Sequence, residues 1–86
     1  MKLTIVIPTI NRYTDLRNTL QNLEEQYFQD FEVIVVDQTN IDTREDIGSE
    51  KITIQYFHST VKSASAARNL GLLEAKGGII LFLDDD

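Results

Sequence analysis

Short apolar runs and longer amphipathic stretches alternate along the chain. Two runs rich in β-branched residues, at 3–7 and 31–36, end at Pro8 and Asp37 and predict buried strands. Apolar and polar residues alternate at 52–56, which predicts a third, half-exposed strand. A fully apolar run at 79–83 predicts a fourth strand.

A first helix is predicted between the first two strands. It carries an apolar stripe at steps of four, three and four residues, typical of an amphipathic helix that packs on a sheet. The stripe consists of Leu16, Leu20, Leu23 and Tyr27. Thr14 or Asp15 is the predicted cap at its start. The polar segment 38–51 predicts only one helical turn, around 44–47.

A second helix is predicted from 63–65 to Lys76, where Gly77 and Gly78 end it. Small residues recur along it every four positions, at Ala67, Gly71 and Ala75. A glycine inside a helix costs roughly 1 kcal/mol relative to alanine. Gly71 therefore indicates a helix face that lies close against the sheet.

The order of these elements favours an α/β fold, a Rossmann-like doubly wound sheet that is mostly parallel with right-handed crossovers. The predicted strand order is 3-2-1-4, with the topological switch point between strands 1 and 4. Ligands of such sheets bind outside the carboxyl ends of the strands at that switch. We therefore expect the functional residues at 8–12, 37–38 and 84–86.

The fourth strand is apolar at every position, as in a strand that is covered on both faces. Only three aspartates follow it, so we expect the chain to be the first part of a larger domain. Exposed strand edges recruit other strands. We therefore expect the isolated chain to self-associate through residues 79–83.

Composition and charge narrow the function. Eighty-six residues suit one small domain, and the absence of cysteine excludes disulfides and thiolate metal sites. A net charge of −6 disfavours nucleic acid as a partner. We expect neither a signal peptide nor a membrane-spanning segment from this sequence. We expect a cytoplasmic protein, peripheral to the membrane only through parts that this chain lacks.

Three consecutive carboxylates, Asp84, Asp85 and Asp86, follow the fourth strand directly. In an extended chain Asp84 and Asp86 point the same way and Asp85 points the opposite way. Carboxylate oxygens suit Mg²⁺ or Mn²⁺, which often bridge to substrate phosphates. The position predicts a divalent-cation site, and a solvated acidic terminus is the alternative.

Other polar residues near the strand ends are candidates for ligand binding. Asp37 and Gln38 could recognise a nucleobase edge, although spacing alone favours an Asx-type turn that caps the strand. Lys62 and Arg68 flank the start of the second helix and could hold a diphosphate. A solvated surface position is the alternative for both, and His58 is assigned to a loop without chemistry.

Two nucleotide-binding motifs are absent. No G-x-G-x-x-G follows the first strand, which disfavours a dinucleotide-binding fold of the usual kind. No G-x-x-x-x-G-K-[ST] occurs, which excludes a P-loop NTPase.

Four segments follow one another along the chain: residues 6–12 (VIPTINR), 31–37 (FEVIVVD), 67–71 (ARNLG) and 77–86 (GGIILFLDDD). Together, in this order, they resemble family 2 glycosyltransferases of the GT-A fold. The resemblance covers essentially the whole chain. It assigns residues 1–86 to the N-terminal, nucleotide-sugar-binding part of the domain, truncated at a DXD-type motif.

The resemblance implies a nucleotide-sugar donor, Mg²⁺ or Mn²⁺ on its diphosphate, and inverting transfer of the sugar to a hydroxyl of a glycan or lipid-linked acceptor. It implies that the nucleoside site is lined by Pro8, Thr9, Ile10, Asn11, Arg12, Asp37 and Gln38. Arg68, Asp84 and Asp85 would lie near the donor, and Asp86 and Asp84 would bind the metal.

Two positions depart from the family pattern. The family often has an aromatic residue at the position of Ile10 and a second acidic residue at the position of Gln38. The resemblance therefore does not identify the nucleobase of the donor. In this family the general base lies beyond the equivalent of Asp86. We therefore expect no turnover from the 86 residues alone.

Two other function classes stay open. One is a non-catalytic module that binds a nucleotide or nucleotide-sugar. The other is a Mg²⁺-dependent phosphoryl-transfer domain on a flavodoxin-like sheet. That domain would need acidic residues after the first strand, where this chain has Pro8 and Thr9.

Overall fold

Four strands and two α-helices make up the computed structural model, which describes residues 2–83. Their order is β1 (Leu3–Thr9), α1 (Tyr13–Glu24), β2 (Phe31–Asp37), β3 (Thr53–His58), α2 (Ala64–Glu74) and β4 (Ile79–Phe82). Asp84, Asp85 and Asp86, and with them the predicted cation site, lie outside the described residues.

The four strands form one sheet in the order β3-β2-β1-β4, and every neighbouring pair is parallel. The α/β fold and the strand order predicted from the sequence are therefore confirmed. The switch point lies between β1 and β4, and β3 lies at one edge, as its alternating pattern indicates. No helix among residues 2–83 has the length and apolar character needed to cross a bilayer.

The core lies on both faces of β1 and β2, and every residue of β2 is buried. One face packs against α1 through the following buried residues: Ile5, Ile7, Tyr13, Leu16, Leu20, Phe31, Val33 and Val35. The other face packs against α2 through Val6, Ile34, Val36 and Ala67. The two interior strands are apolar on both faces because helices cover both sides.

α2 lies close to the sheet along its small residues, as predicted. Ala67 and Gly71 are its buried positions. A Cβ added at Gly71 would lie 2.8 Å from Cγ2 of Val6 and closer still to Cγ1. Glycine therefore permits the close approach of helix and strand, which outweighs its poor helix propensity.

β1 continues two residues beyond its predicted end and includes Pro8. The carbonyl of Val6 accepts a hydrogen bond from Leu83 N–H, so even-numbered residues of β1 face β4. The missing N–H of Pro8 therefore faces β4 beyond Phe82, the last β4 residue in register with β1. Proline is tolerated in a strand at such a position.

The predicted limits of α1 were wrong at both ends. The helix begins at Tyr13, ahead of Thr14 and Asp15, and no side chain caps it. The helix starts earlier than predicted because the Tyr13 ring is buried and its hydroxyl donates a hydrogen bond to Asp37. The helix ends at Glu24, so Tyr27 lies beyond it and is fully exposed.

Two further local predictions were wrong. The single helical turn lies at Ile41–Thr43 instead of 44–47, because Arg44 is extended and its side chain reaches Tyr56. β3 runs to His58, which is thus a strand residue and not a loop residue. His58 extends the strand because it pairs in register with Asp37 of β2. The predicted start of α2 was correct, since the Ser63 side chain caps it.

β4 lies at the open edge of the sheet with its side chains largely uncovered. Ile79 is 65% exposed, Leu81 47% and Phe82 40%. Burial of one such side chain contributes roughly 1.5–3 kcal/mol, which favours association.

Self-association through residues 79–83 stays a prediction. Sedimentation should show a concentration-dependent oligomer for the wild-type chain and a monomer for Leu81→Lys. A wild-type monomer at high concentration would contradict it.

Candidate functional site

The carboxyl ends of β1, β2 and β3 meet at one edge of the sheet. Thr9 is in register with Asp37, and Asp37 with His58. Because the strands are parallel, the segments that follow them lie side by side at that edge. β4 runs in the same direction beside β1, so its carboxyl end faces the same way as those of the other three strands.

The segment after β1 is tied directly to the segment after β2. Gln38 N–H donates to the Thr9 carbonyl at 2.8 Å, and Asn11 N–H donates to Thr39 Oγ1 at 2.8 Å. Asn11 has a φ of 55°, in the left-handed region. Asparagine adopts that region more readily than most residues. Within this segment Asn11 and Arg12 are exposed, so their side chains can face a ligand.

The Asp37 carboxylate lies beneath these two segments and is 0% exposed. Its Oδ2 accepts hydrogen bonds from the hydroxyls of Tyr13, at 2.5 Å, and Tyr56, at 2.6 Å. Its Oδ1 accepts a bond from Thr39 N–H at 2.9 Å. The last contact is the Asx-type turn that spacing favours, and the two phenols add donors from distant elements.

These contacts change how the three groups titrate. Burial alone would raise the pKa of Asp37, but the hydrogen bonds from Tyr13, Tyr56 and Thr39 outweigh it and hold the pKa below its usual value. Burial and the Asp37 carboxylate raise the pKa of Tyr13. The same two causes raise the pKa of Tyr56 to about 12. Asp37 is therefore an anion and both phenols are neutral donors at pH 7.

Gln38 connects the end of β2 to the segment that precedes α2. Its Nε2 donates to the carbonyls of Val61, at 2.6 Å, and Ser63, at 2.7 Å. Both amide hydrogens are thus used inside the protein. Gln38 is 6% exposed, so in the structure its side chain joins these two segments.

A cavity of about 270 Å³ opens between the segments after β2 and β3. His58 lines it, and its Nε2 lies 2.6 Å from the Thr39 carbonyl. A carbonyl can only accept, so this nitrogen carries a proton. Lys62 lines the same cavity and donates to Asn40 Oδ1 at 2.6 Å.

Lys62 and Arg68 have different surroundings in the structure. Lys62 bonds to the segment after β2, whereas the Arg68 guanidinium lies 5.9 Å from the centre of the Phe82 ring. Phe82 is the last residue of β4, two positions before Asp84. Arg68 is thus near β4, the strand that precedes the three aspartates in the sequence. Lys62 lies instead near the carboxyl ends of β2 and β3.

No cluster of three potential metal ligands occurs within residues 2–83. The predicted ligands Asp84 and Asp86 follow β4 and are not described. Three successive carboxylates are the hard oxygen donors that Mg²⁺ and Mn²⁺ prefer. The donor chemistry of this chain therefore fits such a cation.

Tyr13 and Tyr56 were missed as site residues, because tyrosines at such positions are usually core residues. The strand register holds the signal that could have identified Tyr56. It pairs with Val35, two residues before Asp37, so it shares a sheet face with the carboxylate. Tyr13 has no comparable signal, since its contact depends on where α1 begins.

Comparisons with known proteins place this geometry in a family. Residues 4–86 match the family described as "Glycosyl transferase family 2". An uncharacterized glycosyltransferase of Rickettsia bellii is 37% identical over 92 aligned positions, which cover 99% of this chain and 13% of the relative. The GalNAc(5)-diNAcBac-PP-undecaprenol beta-1,3-glucosyltransferase of Campylobacter jejuni is 31% identical, with 99% and 29% covered.

Solved structures agree with the sequence comparisons. S. aureus TarS 1-349 superposes with a TM-score of 0.84 at 28% identity, which covers all of this chain and 28% of TarS 1-349. The same protein in complex with UDP-GlcNAc superposes with a TM-score of 0.82. The chain spans 13% and 29% of the length of the two curated relatives above. Because the family match covers nearly every residue, the chain belongs to glycosyl transferase family 2.

Proposed function

We propose that residues 1–86 form the nucleotide-sugar-binding part of a glycosyltransferase that transfers a sugar, with inversion, from a nucleotide-diphospho-sugar to an acceptor hydroxyl. One observation carries the proposal: at the carboxyl ends of the parallel strands, segment 8–12 is tied to the segment after Asp37, and β4 lies beside β1 and directly precedes the three aspartates in the sequence. The UDP-GlcNAc complex of TarS, which shares this fold, supports the choice of donor.

The proposed roles follow from position along the edge. Asn11 and Arg12, which are exposed, and Pro8 and Ile10, which are half-buried, would face the nucleoside, with the buried Thr9, Asp37 and Gln38 behind them. Ile10 is half-buried and would offer an aliphatic contact to the base. Arg68 supplies positive charge near the diphosphate, beside the end of β4.

Asp84 and Asp86 would hold Mg²⁺ or Mn²⁺, with Asp85 beside them at the donor. A bound divalent cation stabilises the negative charge of the departing diphosphate. The residues of this chain would contribute to the sugar transfer by orienting the nucleoside. They also exclude water from the Asp37 carboxylate, which is fully buried. Neither the acceptor site nor the general base that deprotonates the acceptor hydroxyl is assigned to a residue among 1–86.

Binding of Mn²⁺ should be tight only when a nucleoside diphosphate is present, because a few adjacent carboxylates leave part of the metal shell to substrate oxygens. Calorimetry with Mn²⁺, alone and with UDP or GDP, measures this. Asp86→Ala should weaken Mn²⁺ binding in the presence of the nucleotide by about tenfold or more, which is about 1.4 kcal/mol.

Asp46→Ala is the matched control, since Asp46 is fully exposed and, among residues 2–83, forms a 3.7 Å ion pair with Arg44. It should bind Mn²⁺ and UDP like the wild-type chain. Equal Mn²⁺ affinity of the wild-type chain and Asp86→Ala, both with and without nucleotide, would contradict the metal assignment. Binding of UDP without any effect of Mn²⁺ would favour a binding module over a metal-dependent donor site.

A further inference from the structure

We propose that Tyr13 and Tyr56 are positioning residues of the nucleotide site, which act through Asp37 on the segment after β1. The proposal rests on the proposed function, since it concerns how that site is shaped. Neither tyrosine belongs to the segments that carry the family resemblance. The two come from different elements, α1 and β3, and meet on a single carboxylate oxygen.

A continuous series of hydrogen bonds leads from the phenols to the exposed edge of the site. Both hydroxyls fill Oδ2 of Asp37, so the carboxylate has one fixed orientation and presents Oδ1 to Thr39 N–H. Thr39 in turn accepts the N–H of Asn11 at its Oγ1. Asparagine adopts the left-handed region more readily than most residues, and the bond to Thr39 fixes the Asn11 backbone in that conformation.

The hydroxyls are not needed for packing alone. A phenylalanine ring would fill the same apolar space, and a buried hydroxyl must find a partner. Here both partners are the same anion, which makes the hydrogen bonds charge-assisted. Tyr56 also links Asp37 to a cation, since Arg44 Nε donates to its hydroxyl at 3.0 Å and the guanidinium lies 4.9 Å from the ring centre.

The test compares UDP binding, in the presence of Mn²⁺, by the wild-type chain, Tyr13→Phe, Tyr56→Phe and the double variant. Each Phe variant keeps the ring and removes one donor. We expect the Kd for UDP to rise about three- to tenfold in each single variant and further in the double variant. Tyr27→Phe is the control, because Tyr27 is fully exposed, and should bind UDP like the wild-type chain.

A pH profile of the same binding separates positioning from general loosening of the fold. The titratable groups bonded to Asp37 are Tyr13 from α1 and Tyr56 from β3. Arg44 donates to the Tyr56 hydroxyl, Arg17 lies 5.8 Å from the centre of the Tyr13 ring, and His58 is in register with Asp37 on β3. Loss of a hydroxyl donor raises the pKa of Asp37. The acid limit of UDP binding should therefore move to higher pH in both Phe variants.

The outcomes separate the two proposals. If the wild-type chain binds UDP and the variants bind it with the same Kd and pH profile, the positioning role is wrong and the proposed function stands. If both single variants fail to fold, the tyrosines are structural and the positioning role is also wrong. If the wild-type chain binds neither UDP nor GDP with Mn²⁺, the proposed function and this inference both fail.

Discussion

Asp37→Ala is expected to lower the free energy of unfolding by about 3–5 kcal/mol. The substitution removes a buried carboxylate and leaves three hydrogen-bond donors without an acceptor. They are the hydroxyls of Tyr13 and Tyr56 and the N–H of Thr39. Each buried group left unsatisfied costs about 1–3 kcal/mol. Relaxation of the structure and entry of water reduce this cost. We therefore use the lower end of the range for each of the three donors, which gives the expected total.

Urea unfolding followed by far-ultraviolet circular dichroism measures the effect of Asp37→Ala. Asp46→Ala again serves as the control, because it removes a fully exposed carboxylate and should leave stability nearly unchanged. A loss for Asp37→Ala as small as that of the control would mean that the phenols find other partners. The network around Asp37 would then contribute little to the fold.

The contribution of Asp37 should also depend on pH, with a defined sign. Its folded-state pKa lies below the usual value, so the native state binds fewer protons than the unfolded state in this range. The stabilisation is fully present above the unfolded pKa of about 3.9. It is lost as the pH falls through the lower folded value. The difference in stability between the wild-type chain and Asp37→Ala should therefore narrow only below about pH 4.

Gly77→Ala is expected to lower the free energy of unfolding by about 1–3 kcal/mol or more. A Cβ at this position would lie 2.7 Å from the carbonyl carbon of Leu3 and 2.7 Å from the nitrogen of Thr4. Both atoms belong to the backbone of β1, which is held between β2 and β4. The strand cannot yield without loss of ladder hydrogen bonds, so the turn from α2 to β4 must move instead.

Movement of that turn would also disrupt a buried polar network at the amino end of the sheet. Gly77 N–H donates to Thr4 Oγ1 at 2.8 Å, and Thr4 in turn donates to Oε2 of Glu32 at 2.8 Å. Lys76 N–H donates to the same oxygen at 2.7 Å. Glu32 is 1% exposed, so loss of these donors would leave a buried carboxylate poorly solvated.

The neighbouring glycine supplies the matched control for Gly77→Ala. No atom lies within 4 Å of a Cβ added at Gly78, and neither glycine has a positive φ. Gly78→Ala should thus raise stability slightly, by about 0.4–1 kcal/mol, through the reduced entropy of the unfolded chain. The melting temperatures of Gly77→Ala and Gly78→Ala, measured under the same conditions, test this difference in stability. Equal values would show that β1 accommodates the extra carbon.

The architecture follows from local patterns in the sequence. β-branched runs and a leucine stripe specify elements through local periodicity, and the alternation of these elements favours a parallel sheet with right-handed crossovers. Gly71 indicated a close contact between helix and sheet, which the structure shows at Val6. The segments 8–12 and 37–38 were also predicted to lie at one edge, since parallel strands carry their ends to the same side.

Tertiary structure alone decided what surrounds Asp37. Its phenolic donors come from 24 residues before it and 19 residues after it, and neither separation leaves a periodic signal. The start of α1 at Tyr13 and the extension of β3 to His58 have the same origin, because contacts between distant elements outweigh local capping preferences. Periodicity reports which face of an element is apolar, whereas a hydrogen bond requires two particular atoms to meet, and only the packed chain brings those atoms together.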